Sequence, residues 1–203
     1  MVIRSGAQGA SMPLNKHYIS PQQLLEDSFR LGWQVFASGY RPTFIIAIWR
    51  GGTPVGAALH ELLDVLGVTA DHFAIRTASY TGIGQRGQRV SVDGLDYLIE
   101  RVGSEDRVLL VADVHDTGLS LQQVAADLRG ACGDRTPDIR VATPYFKPGN
   151  NQTGKPPDYF LHETDEWLVF PHELAGLTLA EMRASKPALS GLIDQLEQCL
   201  EKG

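Results

Sequence analysis

The chain has 203 residues, of which 43% are hydrophobic and 21% charged, a balance that excludes a wholly disordered or fibrous protein and suits one sizeable domain. Its net charge of −6 argues against a nucleic-acid partner, because the chain as a whole would repel a phosphate backbone. No apolar run approaches the ~20 residues that span a bilayer, so no membrane partner is expected. Two cysteines, Cys132 and Cys199, form neither a disulfide framework nor a zinc spacing and favour a cytoplasmic location.

The hydrophobic pattern predicts a flexible leader over residues 1–16, followed by a single domain over residues 17–203. A first helix is expected from Pro21 to Gly39, with an apolar stripe of Leu25, Phe29, Trp33 and Phe36. The predicted elements that follow are a strand at 44–49, a helix at 54–66, strands at 72–77 and 89–92, a helix at 94–102, a strand at 107–113, a helix at 119–129 and a strand at 139–146.

This alternation predicts an α/β fold with a mostly parallel open sheet flanked by helices. The rhythm breaks at residues 147–175, which we expect to form a small hood over the sheet edge. A C-terminal helix should follow, its apolar stripe against the body of the domain. That stripe consists of Leu189, Leu192, Ile193, Leu196 and Leu200.

Polar groups follow each of the four main predicted strands, where ligands of open parallel sheets collect. The clearest case is the turn at 113–120, Asp-Val-His-Asp-Thr-Gly-Leu-Ser, which leads from a strand into a helix. Backbone N–H groups and the Thr117 and Ser120 hydroxyls can surround a phosphate there, and Gly118 permits close approach. The alternative is that Asp116 only caps the helix.

The run VLLVADVHDTGLS at 108–120 resembles the phosphoribosyl-pyrophosphate (PRPP) motif of type I phosphoribosyltransferases, which implies their fold. The resemblance implies that Thr117, Gly118, Leu119 and Ser120 bind the 5′-phosphate of PRPP. It implies catalytic roles for Asp116 beside the base and Asp113 beside the ribose, with Asp113 also contributing to a Mg²⁺ site. One departure is Ala112, which stands where the family usually has an acid.

Two further segments are similar to parts of the same family. WRGG at 49–52 resembles its pyrophosphate loop, which implies that Arg50, Gly51 and Gly52 bind the leaving group and that the Trp49–Arg50 peptide is cis. The segment 76–92 carries arginines and glycines but no acidic residue, as expected of a flexible lid over pyrophosphate. The residues assigned to this lid are Ser79, Tyr80, Arg86 and Arg89.

Two features point to the base. Lys147 comes directly after a predicted strand and resembles the lysine that, in this family, donates a hydrogen bond to the exocyclic oxygen of a 6-oxopurine. A lysine has donors and no acceptor, so it favours a carbonyl at that position. The run ETDEWLVFP at 163–171 is similar to the hood of bacterial xanthine–guanine enzymes. The resemblance implies that Trp167 stacks on the base and that the Leu168 backbone faces its far edge.

The resemblance therefore implies a Mg²⁺-dependent enzyme of purine salvage that joins a 6-oxopurine such as hypoxanthine, xanthine or guanine to PRPP and releases pyrophosphate. It also implies a homodimer or homotetramer. Two alternatives stay open: a regulatory protein that binds PRPP or a nucleotide without turnover, for which Ala112 is the reason, and a phosphoribosyltransferase for a non-purine acceptor.

Overall fold

A five-stranded sheet forms the centre of the molecule, with the strand order β4-β3-β2-β5-β7. The computed structural model describes residues 16–81 and 88–201, without the side chains of residues 79–81 and 88–89. The strands of this sheet are β2 (Phe44–Trp49), β3 (Asp71–Thr81), β4 (Gln88–Asp93), β5 (Arg107–Val111) and β7 (Asp138–Ala142). All neighbours are parallel except β3 and β4, which are antiparallel. The predicted mostly parallel α/β sheet is therefore confirmed.

Helices cover both faces of this sheet, because successive residues of the central strands point to opposite sides. Ile45 packs with α1 (Pro21–Ala37) and α2 (Gly52–Val65) on one face. Its neighbour Ile46 packs on the other face with α3 (Asp96–Arg101) and α4 (Leu119–Cys132). This double core fixes the carboxyl ends of β2 and β5 side by side, at one edge of the sheet.

Among the described residues, five short strands lie outside the main sheet, and two of them fall within residues 147–175, where the hood is predicted. The five are β1 (Lys16–Tyr18), β6 (Val114–His115), β8 (Tyr145–Phe146), β9 (His162–Glu163) and β10 (Trp167–Val169). The strands β6, β8 and β9 form a parallel three-stranded sheet, whereas β1 pairs with β10. The single strand predicted at 139–146 is thus two strands, β7 and β8, which belong to different sheets and are separated by Thr143 and Pro144.

The first helix buries a different face from the one predicted. The expected stripe is largely exposed, with Trp33 56% and Leu25 44% accessible. The buried face instead carries Leu31, Val35 and the polar Asp27, whose carboxylate accepts a hydrogen bond from the Tyr145 hydroxyl at 3.0 Å. Because Asp27 is polar, the hydrophobic pattern of the sequence does not identify this face of the helix as the buried one.

The C-terminal helix is present as α6 (Ser190–Leu200), preceded by α5 (Leu179–Ser185), but its predicted apolar stripe is only partly buried. Only Ile193 of that stripe is buried, and Leu192 and Leu200 are exposed. The helix is held to α5 by Arg183, whose guanidinium contacts Asp194 and Glu197 at 2.7 Å. Among the described residues, no helix is long and apolar enough to cross a membrane. The predicted leader 1–16 lies outside the described residues except for Lys16.

Candidate active site

The turn at 113–120 and the loop at 49–51 line one cavity of about 220 Å³ at the carboxyl ends of β2 and β5. Its walls include Arg50, Gly51, Asp113, Asp116, Thr117, Gly118 and Ser120. These residues come from two segments more than sixty positions apart in the chain, and the register Ala47↔Val111 between β2 and β5 brings them together. The cavity therefore combines a cation, two carboxylates, hydroxyls and a helix N-terminus.

The turn has the geometry of a phosphate site. Gly118 has φ +76°, a left-handed conformation that favours glycine, and the helix α4 begins immediately after it. The first helical hydrogen bond is donated by the Gln122 N–H to the Gly118 carbonyl at 3.0 Å. The N–H groups of residues 119–121 therefore have no partner within the helix, and that of Leu119 donates to the Thr117 hydroxyl oxygen at 3.4 Å. A helix N-terminus of this kind can bind an anion, which the helix dipole also favours.

The loop from β2 to α2 lies directly against Asp113. The Trp49–Arg50 peptide is cis, as the resemblance implied. A side chain at Gly51 would overlap the carboxylate of Asp113, so the absence of a Cβ there is what lets the two segments meet. Gly52 does not line the cavity. It is buried against the Val111 carbonyl at the start of α2.

Asp116 is held by the segment that follows β8. Its Oδ1 atom accepts a hydrogen bond from the Asn150 side-chain amide at 2.8 Å, and its Oδ2 atom lies 3.8 Å from Lys147 Nζ. The main chain is held too, since the Gln152 N–H donates to the Thr117 carbonyl at 3.0 Å. These contacts fix the carboxylate at the mouth of the cavity, where 46% of its side chain is accessible.

Lys147 and Trp167 stand together beside this carboxylate. Lys147 is 7% exposed, and its ammonium lies 6.0 Å from the centre of the Trp167 ring. Trp167 is half exposed at the start of β10, so its face is open to a planar ligand. The side chain of Leu168 is buried in the core, which leaves only its backbone for the base contact expected of it.

Comparisons with known proteins agree with this arrangement. The profile of the phosphoribosyl transferase domain family matches residues 19–175. The chain belongs to this family. The predicted enzyme class, a phosphoribosyltransferase, is thereby confirmed. A search of the curated proteins gives no match.

Several solved structures resemble this phosphoribosyltransferase. A purine phosphoribosyltransferase from Pyrococcus horikoshii is 25% identical, with a TM-score of 0.62 over 80% of this chain and 97% of that one. A hypothetical protein from Neisseria gonorrhoeae with bound ppGpp is 20% identical, with a TM-score of 0.68 over 88% and 99%. The xanthine-guanine-hypoxanthine phosphoribosyltransferase of Helicobacter pylori is 22% identical, with a TM-score of 0.57 over 77% and 91%.

The expected lid differs in form from the prediction. Residues 76–81 and 88–92 belong to β3 and β4, where Tyr80 is registered opposite Arg89 and Ser79 opposite Val90. Arg86 lies outside the described residues. Thr77, within β3, lines the same cavity as Arg50 and Asp113, so this strand borders the candidate site. Polar and apolar residues alternate at 89–93, and this pattern predicts most of β4.

Two residues of this phosphoribosyltransferase were missed by the sequence analysis. His172 places its Nε2 atom 3.2 Å from Asp113 Oδ2 and stacks on Phe170 with ring centres 5.5 Å apart. Asn150 orients Asp116, as described above. Nothing local in the sequence marks either residue, although both fall within the predicted hood.

Proposed function

We propose that this phosphoribosyltransferase transfers the phosphoribosyl group of PRPP to a 6-oxopurine and releases pyrophosphate, with Mg²⁺ as cofactor. The observation that carries the proposal is the single cavity formed by Arg50, Asp113, Asp116 and the turn at 117–120. Lys147 and Trp167 do not line this cavity but stand beside Asp116, with Lys147 Nζ 3.8 Å from its carboxylate. Together these residues offer separate groups for the three parts of the reaction: the phosphate, the leaving pyrophosphate and the base.

PRPP would bind with its 5′-phosphate in the turn 117–120, on N–H groups at the start of α4 and the hydroxyls of Thr117 and Ser120. Its pyrophosphate would then face Arg50 and the backbone of Gly51. Negative charge develops on the pyrophosphate oxygen as the bond to C1 of the ribose breaks, so fixed cationic and N–H groups at this position favour the transition state.

In the reaction, the bond between C1 and the pyrophosphate oxygen breaks and a bond between C1 and a purine nitrogen forms. The nitrogen loses a proton, and Asp116 is the carboxylate placed to receive it. Asn150 would not prevent Asp116 from accepting this proton, because Asn150 donates a hydrogen bond to Oδ1, whereas Oδ2 faces Lys147.

The base would lie between Lys147 and the exposed ring of Trp167. The lysine has three donors and no acceptor, which favours a carbonyl oxygen at position 6 of the purine over an amino group. Stacking on the ring adds a geometric preference worth about 1 kcal/mol.

Mg²⁺ fits this cavity through Asp113. Magnesium in such sites takes one or two carboxylates together with substrate oxygens and water, and Asp113 is the carboxylate that faces the pyrophosphate loop through Gly51. When bound, the ion would neutralise charge on the leaving pyrophosphate. Among the described residues, no three or more His, Cys, Asp or Glu side chains cluster as a metal site.

Closure of the β3–β4 hairpin over PRPP is a further part of this proposal. Ser79, Tyr80, Arg86 and Arg89 would then contribute to a lid that excludes water and prevents hydrolysis of PRPP. A homodimer or homotetramer and a cytoplasmic location also remain proposals, to be tested by sedimentation and by cell fractionation.

A second candidate for the same cavity is regulation by a guanosine nucleotide that carries a pyrophosphate. It is supported by the likeness to the Neisseria gonorrhoeae structure with bound ppGpp and by the presence of Ala112 in place of an acid. Such a nucleotide would use the same groups as PRPP and the base, so it would compete with both.

The test is pyrophosphate release with PRPP and Mg²⁺ in the presence of hypoxanthine, guanine, xanthine or adenine. We expect turnover with at least one 6-oxopurine, far slower turnover with adenine, and competitive inhibition by ppGpp if the second candidate also holds. Tight PRPP binding without product from any base would refute the transferase and favour a regulator. Product from a non-purine acceptor alone would overturn the assignment of the base.

A further inference from the structure

A second cavity, of about 340 Å³, lies on the other side of the first turn of α4. Its walls come from α4, from the edge strand β7 and from the segment 153–158. It shares Gly118 and Leu121 with the catalytic cavity, and Asp113, Asp116, Lys147 and Trp167 do not line it. It is therefore separate from the site proposed for PRPP and the base.

The floor of this second cavity is apolar and its rim is cationic. The floor is formed by Leu121, Ala125, Ile139, Val141 and Pro157. Arg129 and Lys155 stand at the rim, both exposed, and neither side chain has an acceptor or a carboxylate partner within the described residues. The one carboxylate in the lining, Asp158, accepts a hydrogen bond from the Val141 N–H at 2.8 Å.

His115 gives the cavity a buried polar group without a partner. Its ring lines the cavity, only 4% of the residue is exposed, and Nδ1 has no hydrogen-bond partner in the described part of the chain. Burial lowers the pKa of His115, which favours the neutral ring. The positive charge at this site therefore comes from Arg129 and Lys155 alone.

We propose that this cavity binds an aromatic phosphate ester, with the ring on the apolar floor and the phosphate at Arg129 and Lys155. A guanidinium fork matches a phosphate well, and two unpaired cations form a local attraction for anions in a chain of net charge −6. The volume lies at the lower end of the range for small-molecule sites, about 300–1,000 Å³.

The position of this site ties it to the phosphate turn. A side chain at Gly118 would overlap the ring of His115 and the methyl group of Thr153, so both residues are in close contact with the turn. An occupant of the second cavity would contact the turn from outside while PRPP contacts it from inside. The two ligands would lie side by side, with Gly118 and Leu121 lining both cavities.

The experiment titrates phenyl phosphate into the ¹⁵N-labelled full chain and follows the amide signals by NMR. We expect saturable shifts at Ala125, Ile139 and Val141, and dissociation at least tenfold weaker in the double variant Arg129→Gln, Lys155→Gln. The matched control, Arg30→Gln with Arg101→Gln, removes two exposed cations elsewhere and should bind as the wild type does.

Saturable shifts confined to Arg50 and Thr117 would overturn the proposal, and so would equal affinity in the double variant. Because the readout needs neither PRPP nor turnover, the second site can be established even if the proposed transferase activity fails. PRPP titrated into the double variant should bind as it does to the wild type, which separates the two cavities.

Discussion

The Nε2 atom of His172 lies 3.2 Å from the Oδ2 atom of Asp113, and both side chains are about four-fifths buried. The other oxygen of this carboxylate accepts a hydrogen bond from the Val114 N–H at 2.9 Å. Asp113 is thus fixed from two sides, at the position where we propose that it meets the ribose and Mg²⁺. His172 is a positioning residue for that carboxylate.

Replacing His172 by Ala should raise the KM for PRPP about fivefold while kcat changes less than twofold. A polar contact between partly exposed groups is worth up to about 1 kcal/mol, and the loss falls on substrate binding because His172 acts through Asp113. Steady-state kinetics with PRPP as the varied substrate measure this split. His60→Ala is the control, since that ring contacts His72, away from the site. If the His172→Ala variant lowered kcat by the same factor as it raised the KM for PRPP, His172 would not be a positioning residue.

Changing Asp116 to Asn should lower kcat about 10²-fold or more, because the amide cannot take the proton from the purine. The dissociation constant for PRPP should change less than threefold, since the phosphate turn keeps its N–H groups. Single-turnover kinetics and PRPP titration provide the two numbers. Asp127→Asn, an exposed change on α4 at a carboxylate that accepts a hydrogen bond from the Gln123 side chain, serves as the control. A near-normal rate for the Asp116 variant would remove it from the mechanism.

Gly51→Ala should lower kcat/KM for PRPP about 10²-fold without unfolding the protein. The backbone at Gly51 has φ −68° and ψ −27°, which alanine adopts freely, so the effect comes from displacing the Asp113 carboxylate. Gly130→Ala is the matched control, because a Cβ there meets nothing within 4 Å. The circular dichroism of both variants should match that of the wild type. Normal kinetics for Gly51→Ala would show that the position of Asp113 is not needed.

Lys147→Met should raise the KM for the preferred 6-oxopurine about tenfold or more, with the KM for PRPP nearly unchanged. A charged donor contributes about 1.5–3 kcal/mol to a hydrogen bond, and the methionine keeps the length of the side chain. The measurement is base-dependent kinetics at saturating PRPP, together with the ratio of guanine to adenine use. A variant that lost stability but not base affinity would contradict the assignment of the base slot.

The contact of Lys16 with Glu181, at 2.6 Å, should make stability depend on pH in the acid range. Hydrogen bonds from Lys16 and from the Thr178 backbone lower the pKa of Glu181 from 4.5 to about 2. A lowered pKa stabilises the fold above about pH 4.5, and this contribution is lost as the pH falls toward 2. Lys16→Met should therefore lower the urea midpoint at pH 7, by an amount that shrinks below pH 4.5.

A double-mutant cycle with Glu181→Gln isolates this pair. The double variant should be no less stable than Lys16→Met alone, and its midpoint should vary less with pH than that of the wild type. Equal pH dependence in all four proteins would mean that the pair does not contribute.

The two central strands of the sheet, β2 and β5, could be predicted from the sequence because they are buried on both faces and read as continuous apolar runs. The run at Phe44–Trp49 matches β2 in both bounds. The predicted strand at 107–113 ends two residues early, at Val111, because Asp113 turns its carboxylate toward Gly51. The turn at 113–120, which leads from β5 to α4, could also be predicted, since its residues are contiguous in the chain.

What could not be predicted depends on contacts between distant segments. Two apolar stripes compete on α1, and burial of Asp27 against Tyr145, more than a hundred residues away, decides between them. Likewise, His172 contacts Asp113 and Asn150 contacts Asp116 only in the folded chain, because each pair is separated by more than thirty residues. The periodicity of apolar residues along the chain gives no information about such contacts.

The pairing of β1 with β10 places Lys16 opposite Trp167 and His17 opposite Leu168, with a further contact between His17 and Glu166 at 3.2 Å. Lys16 therefore lies directly beside the ring that we propose stacks on the base, on the strand that pairs with β10. The variant Lys16→Met, introduced to test stability, should therefore also shift the preference among bases, because it changes the strand that supports Trp167.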